Sequence, residues 1–169
     1  MHSVVVLLPL AALGGLAMAA MPSLRRRFGV AVLLLAAAGV AAVPLATQTG
    51  NELESTLPPN NPLIEEHEEL GDQLLPFALV FGATLLLLVI AGRLADRERG
   101  AAQPGADTAQ PGTDGDENRK TAAAPRTWRR MALVAAALVA VSGVAVTVQV
   151  VRAGHSGAAA VWEGVGVQR

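Results

Sequence analysis

The chain has 169 residues, 52% of them apolar and only 16% charged, with no cysteine and a formal net charge of −1. About a quarter of the residues in an average soluble domain are charged, so this balance leans toward a membrane protein. Without cysteine the chain has no disulfides, thiolate metal centres, iron–sulfur clusters or covalently attached c-type haem.

Four runs free of Asp, Glu, Lys, Arg and His follow in chain order, at residues 3–21, 28–46, 74–92 and 131–151. Each has about the 20 residues that a helix needs to cross roughly 30 Å of hydrocarbon. They predict an all-α protein, an integral membrane four-helix bundle. In the first run the positive charges Arg25, Arg26 and Arg27 follow the apolar stretch, whereas a cleaved signal peptide carries them in front, so the run reads as a retained span. Ala11, Gly15 and Ala19 give it a seam of small residues at four-residue spacing, and Ala132, Ala136 and Ala140 do the same in the fourth run. Such seams let backbones approach closely where lipid offers no hydrophobic drive for association. Pro9, Pro44 and Pro76 each remove a helix donor. Trp128 and Trp162, at opposite ends of the fourth span, suit the two interfacial belts.

Segment 47–73, between spans two and three, reads as an acidic loop with seven carboxylates and no Lys or Arg. Residues 99–127, between spans three and four, are rich in Gly, Ala, Pro, Asp and Thr and show no apolar period, which predicts a disordered linker. Segments 1–98 and 128–169 then make one domain. Eleven of the 13 Lys and Arg fall in 22–27 and 93–130. The positive-inside rule puts those segments, the linker included, in the cytoplasm, with the acidic loop and both termini outside.

Several activities are excluded by what the spans lack. None holds a charged side chain, which argues against a proton relay or a voltage sensor. Polar side chains well inside them are few, chiefly Thr84, Ser142, Thr147 and Gln149. There is no Walker loop, GxGxxG, HExxH or GxSxG, so nothing points to an ATPase, a dehydrogenase, a protease or any other enzyme. The basic residues are the ordinary topology signal and do not indicate nucleic-acid binding.

The one constellation with chemistry is histidine. His2, His67 and His155 all fall on the outer side of this topology. Around His67, Asn61 suits an N-cap, Pro62 the first helical position, and Glu65 and Glu66 the positive end of a helix. At about 100° per residue, Leu63, His67, Leu70 and Leu74 share a stripe, with Glu65, Glu68, Glu69 and Asp72 opposite. If the fourth helix continues past the membrane, Val151, His155, Ala158, Ala159 and Trp162 share a face, and Gly154, Ser156 and Gly157 leave room for another helix or a flat group. Spans three and four are antiparallel, so His67 and His155 are expected near one height, with His2 slightly lower. Two imidazoles on facing helices can hold haem b iron, and His2, His67 and His155 with Glu52 can hold a divalent metal ion. Either ligand would make the protein a small redox or metal-binding module. In the alternative, the histidines only cap and brace the bundle. The protein is then a structural or interaction subunit, packed in the lipid bilayer against other membrane proteins or a second copy.

The stretches LLPLAALGGLAM, VPLATQTGNELE, PLIEEHEELGDQLLPFAL and VRAGHSGAAAVWEGVGV resemble bacterial membrane proteins catalogued as domain of unknown function 2231. The most specific pieces are Glu65 to Gly71 and Gly154 to Ala158. The resemblance spans most of the chain outside the linker and implies a four-span protein of the bacterial cell membrane, with no established activity. Members of that family begin with a His-Pro element ahead of a second His, which falls at His2 here, so the resemblance reads the start as shortened. The Ala-, Gly- and Arg-rich usage fits a GC-rich, actinobacterial genome.

Overall fold

The computed structural model describes residues 2–54, 62–101 and 126–162. They form four helices and, among the described residues, no strand: α1 (His2–Ala20), α2 (Pro22–Glu54), α3 (Pro62–Ala101) and α4 (Arg126–Trp162). All four are long and apolar enough to cross a membrane, so the all-α, multi-pass architecture is as expected. Residues 102–125 of the expected linker lie outside the described residues, as do Asn61 and the side chains of His2 and Trp162.

The helices run past the apolar stretches that announce them. At 1.5 Å per residue, the 40 residues of α3 extend about 60 Å, twice the hydrocarbon thickness. The expected acidic loop 47–73 is mostly helix: 47–54 complete α2 and 62–73 begin α3, which leaves only 55–61 outside the described residues. Apolarity measures contact with lipid, whereas helicity needs only satisfied backbone groups, and Thr and Glu do not interrupt them. Thr47 and Thr49 fold back on the helix, their hydroxyls donating to the carbonyls of Val43 and Leu45 at 3.0 and 3.1 Å. The α1–α2 connection is Met21 alone. Its N–H donates to the Ala17 carbonyl at 2.9 Å, and Pro22 opens α2 at the position where a missing N–H costs least. Arg25, Arg26 and Arg27 thus sit in the first turns of α2 rather than in a loop.

Inside the bundle the buried residues repeat every three and four positions. On α3 the row runs Leu70, Leu74, Ala78, Phe81, Leu85, Leu88, Gly92 and Ala95, with Val89 and Ala91 buried beside it; on α1 it runs Val4, Leu8, Ala11, Gly15 and Met18, with Ala12 beside it. This 3.5-residue period is that of helices wound with a left-handed twist. Each helix packs along its length on two neighbours in the ring α1–α2–α3–α4, with α3 against α4 the most extensive pair; α1 and α3 lie diagonally opposite and meet only through side chains such as Leu85 and Phe81 at Gly15. The small-residue seam expected on α1 does pack, Ala11 and Gly15 being buried and Ala19 half-buried. On α4 the buried row is instead Ala132, Ala135, Val139, Gly143, Val146 and Val150. A strict four-residue seam through Ala132, Ala136 and Ala140 drifts around the helix, and the 3.5-residue row is the one that stays facing its neighbours.

Polar rungs align α3 with α4. Thr84 and Ser142 share a hydrogen bond of 2.9 Å near the middle of the bundle. Further toward the acidic end, buried Gln149 donates to the Leu70 carbonyl at 3.2 Å and to Gln73 Oε1 at 3.5 Å. In a double-mutant cycle of Thr84→Val and Ser142→Ala, the coupling is expected to be about 0.6 kcal/mol, the average for interhelical hydrogen bonds in lipid, and below ~1.7 kcal/mol. Unfolding titrations in mixed micelles measure it; zero coupling would mean that the two hydroxyls bond only their own backbones, Phe81 and Leu138.

Candidate binding cavity

All four helices converge at the acidic end around a cavity of about 260 Å3. Its walls are Val4 and Val5 of α1; Val43, Ala46, Thr47 and Gly50 of α2; His67, Glu68, Gly71 and Leu74 of α3; and Val150, Ala153 and Gly154 of α4. The space exists because three of the lining residues, Gly50, Gly71 and Gly154, have no side chain and nothing lies within 4 Å of where their Cβ atoms would stand. The walls are apolar, and the polar groups, His67 and Glu68 among them, are few, the usual composition of a small-molecule site.

The orientation of His67 is set by α4. Its Nδ1 lies 3.1 Å from Ser156 Oγ, and that hydroxyl donates to the Ala153 carbonyl at 3.0 Å. A serine hydroxyl has one proton. When that proton goes to Ala153, Ser156 accepts, and the neutral ring that fits this arrangement has its hydrogen on Nδ1 and its lone pair on Nε2. The flat face of the ring rests on Gly157: a Cβ there would stand 2.9 Å from Cε1 and 3.1 Å from Nδ1. The room expected beside Gly154, Ser156 and Gly157 for a flat group is thus used, and the group that uses it is the imidazole of His67.

The other expected site residues are placed differently. His155 is exposed with Val151, Arg152 and Ala158, and it is not on the cavity wall. His67, also exposed, does line the cavity, and the α4 groups it meets are Ser156 and Gly157. The face drawn through Val151 and His155 is apolar, but apolar faces in a membrane protein look outward to lipid, and Val150 and Ala153 point inward instead. Glu52 is exposed near the end of α2 and does not line the cavity. His2 opens α1, three residues before Val5 of the wall. Glu68, expected on the solvent face, does line the cavity, because α2 approaches α3 on the side of Glu68 and Gly71.

These positions test the two expected cofactors. A haem held by two histidines needs both on one cavity, and a space of about 260 Å3 falls below the ~300–1,000 Å3 of drug-sized pockets. Of the two histidines expected to hold haem b, only His67 lines the cavity. For a metal ion, no three His, Asp or Glu side chains converge among the described residues. Comparison with family models, curated proteins and solved structures returns no match.

Proposed function

We propose that the protein is a small-molecule-binding module of the bacterial cell membrane. Its ligand has a mostly apolar body, seated among Val4, Val43, Leu74 and Val150, and an O–H or N–H group that donates to His67 Nε2. The observation that carries this reading is the imidazole of His67 at the wall of an apolar cavity, its Nδ1 held at Ser156 Oγ so that Nε2 is the nitrogen left for a ligand. The arginine-rich ends of α2, α3 and α4 face the cytoplasm in this reading, with the cavity and both termini outside. Membership of the family catalogued as domain of unknown function 2231 belongs to the same proposal and carries no activity with it.

A divalent ion is the second reading. His67 and Glu68 both line the cavity and supply two donors, and the start of α1 at His2 brings a second histidine to the same end of the bundle.

The test is extraction of protein purified in mild detergent, with mass spectrometry of the extract, metal analysis and an absorption spectrum with haem supplied during expression. One small organic molecule near unit stoichiometry is expected. It should be reduced in His67→Ala, excluded by Ala46→Phe, which fills the cavity, and retained in His155→Ala. Bound metal in its place, lost with His67, selects the second reading, and a Soret band that depends on His67 or His155 would restore haem. A folded, colourless, metal-free and empty protein would sink every ligand reading and leave an interaction subunit.

A further inference from the structure

The opposite end of the bundle has a second arrangement, built from arginine. Arg25, in the first turns of α2, lies across Gly92 of α3 so closely that a Cβ at Gly92 would run into its guanidinium. Gly29 adds room on α2 itself, the Cγ of Arg25 passing 3.9 Å from where its Cβ would stand. One turn along α3, Asp96 is held by two other arginines. Arg26 reaches both of its oxygens, Nε to Oδ2 and Nη2 to Oδ1, each at 2.9 Å, and Arg99 Nη1 reaches Oδ1 at 3.0 Å. Asp96 is thus bonded to Arg26 and Arg99, and Arg25, within reach of its charge, makes no hydrogen bond to a carboxylate among the described residues. Arg27, Arg93 and Arg97 are exposed nearby, which leaves this end strongly cationic.

Depth and neighbours indicate what the cation meets. Gly92 is the last residue of the apolar run 74–92, and Arg25 stands three residues before the run that starts at Phe28. The half-buried guanidinium therefore lies where hydrocarbon gives way to headgroups. Phe28, one turn on from Arg25 along α2, is large and exposed toward acyl chains, with Arg27 over its ring at 5.4 Å. Arginine binds phosphate through paired N–H donors, and basic notches between spans at this depth suit anionic lipid headgroups. We propose that Arg25, seated on Gly92 in the α2–α3 groove and flanked by the Arg26–Asp96–Arg99 cluster, binds the phosphate of an anionic phospholipid. The free phosphate ion shares that chemistry but would have no use for the apolar flanks.

Native mass spectrometry of the detergent-solubilised full chain tests this, with phosphatidylglycerol and phosphatidylcholine as probes and inorganic phosphate as competitor. Phosphatidylglycerol should bind in preference to phosphatidylcholine. Arg25→Gln should weaken it about fivefold, the effect of one arginine near an anionic surface. Gly92→Ala should weaken it as much while keeping every charge, because the tip of a flexible arginine swings away from the new methyl group at little cost to the fold. Arg97→Gln removes the same charge from an exposed position and should leave binding almost unchanged. The proposal fails if Arg97→Gln matches Arg25→Gln, since the attraction is then diffuse, or if Gly92→Ala binds like the parent protein. Displacement of the lipid by excess inorganic phosphate would overturn it in favour of a free-anion site.

Discussion

Gly15→Leu is expected to destabilise the bundle by about 3 kcal/mol or more, at or beyond the upper end of what overpacking costs. Gly15 is buried on α1, and a Cβ there would already stand 3.0 Å from Val139 Cγ1 and 3.2 Å from Leu85 Cδ1, with the Phe81 ring behind them at 3.7 Å. Phe81 and Leu85 are fully buried and Val139 almost so, so none has free space to retreat into. The whole leucine side chain must therefore push α1 away from α3 and α4. Lipid offers no hydrophobic penalty for separated helices, so packing lost here is not regained elsewhere. Leu13→Ala, two residues away on the lipid face, should change stability by no more than about 0.5 kcal/mol. Unfolding titrations of both variants in mixed micelles make the comparison; equal stabilities would mean that α1 does not pack as described.

Ser156→Ala is expected to leave the fold intact and to weaken ligand binding at the cavity roughly tenfold, by analogy with the lower end of the loss when a metal-ligating histidine loses its orienting partner. The hydroxyl links Nδ1 of His67 to the Ala153 carbonyl, and in donating to that carbonyl it favours the tautomer with its lone pair on Nε2. Alanine removes that selection, and the ring then populates both tautomers. The imidazole nitrogen chemical shifts of the ligand-free protein report this directly: one tautomer in the parent, a mixture in Ser156→Ala. An unchanged tautomer would show that the ring takes its orientation from Gly157 and the cavity walls alone. Loss of binding with an unchanged tautomer would assign Ser156 to contact with the ligand.

The spans were legible because crossing hydrocarbon demands an uninterrupted apolar run, and nothing else in a chain of this size needs four of them. His67 was half legible. Its stripe with Leu70 and Leu74 is a local property of helix geometry, and both leucines are buried as that stripe implies. Its partner was not legible, because Ser156 and Gly157 lie 89 and 90 residues further along the chain, and only the register of α3 against α4 brings them to it. The Thr84–Ser142 and Gln149–Leu70 bonds help set that register. His155 shows where helical-face reasoning misleads: Val151 is 63% exposed, so the apolar residues beside His155 mark the outward side.

The physical ground of that difference is the solvent. In water an apolar stripe points to the core, so periodicity assigns inside and outside together. In a bilayer both faces of a helix are apolar, and what distinguishes them is size and fit: Gly15 against Val139, Gly92 beneath Arg25, Gly157 beneath His67. Length and charge along the chain were enough for four helices and a cationic end. Which glycine receives which side chain, and hence where a cavity opens and which histidine lines it, came only from the helices packed together.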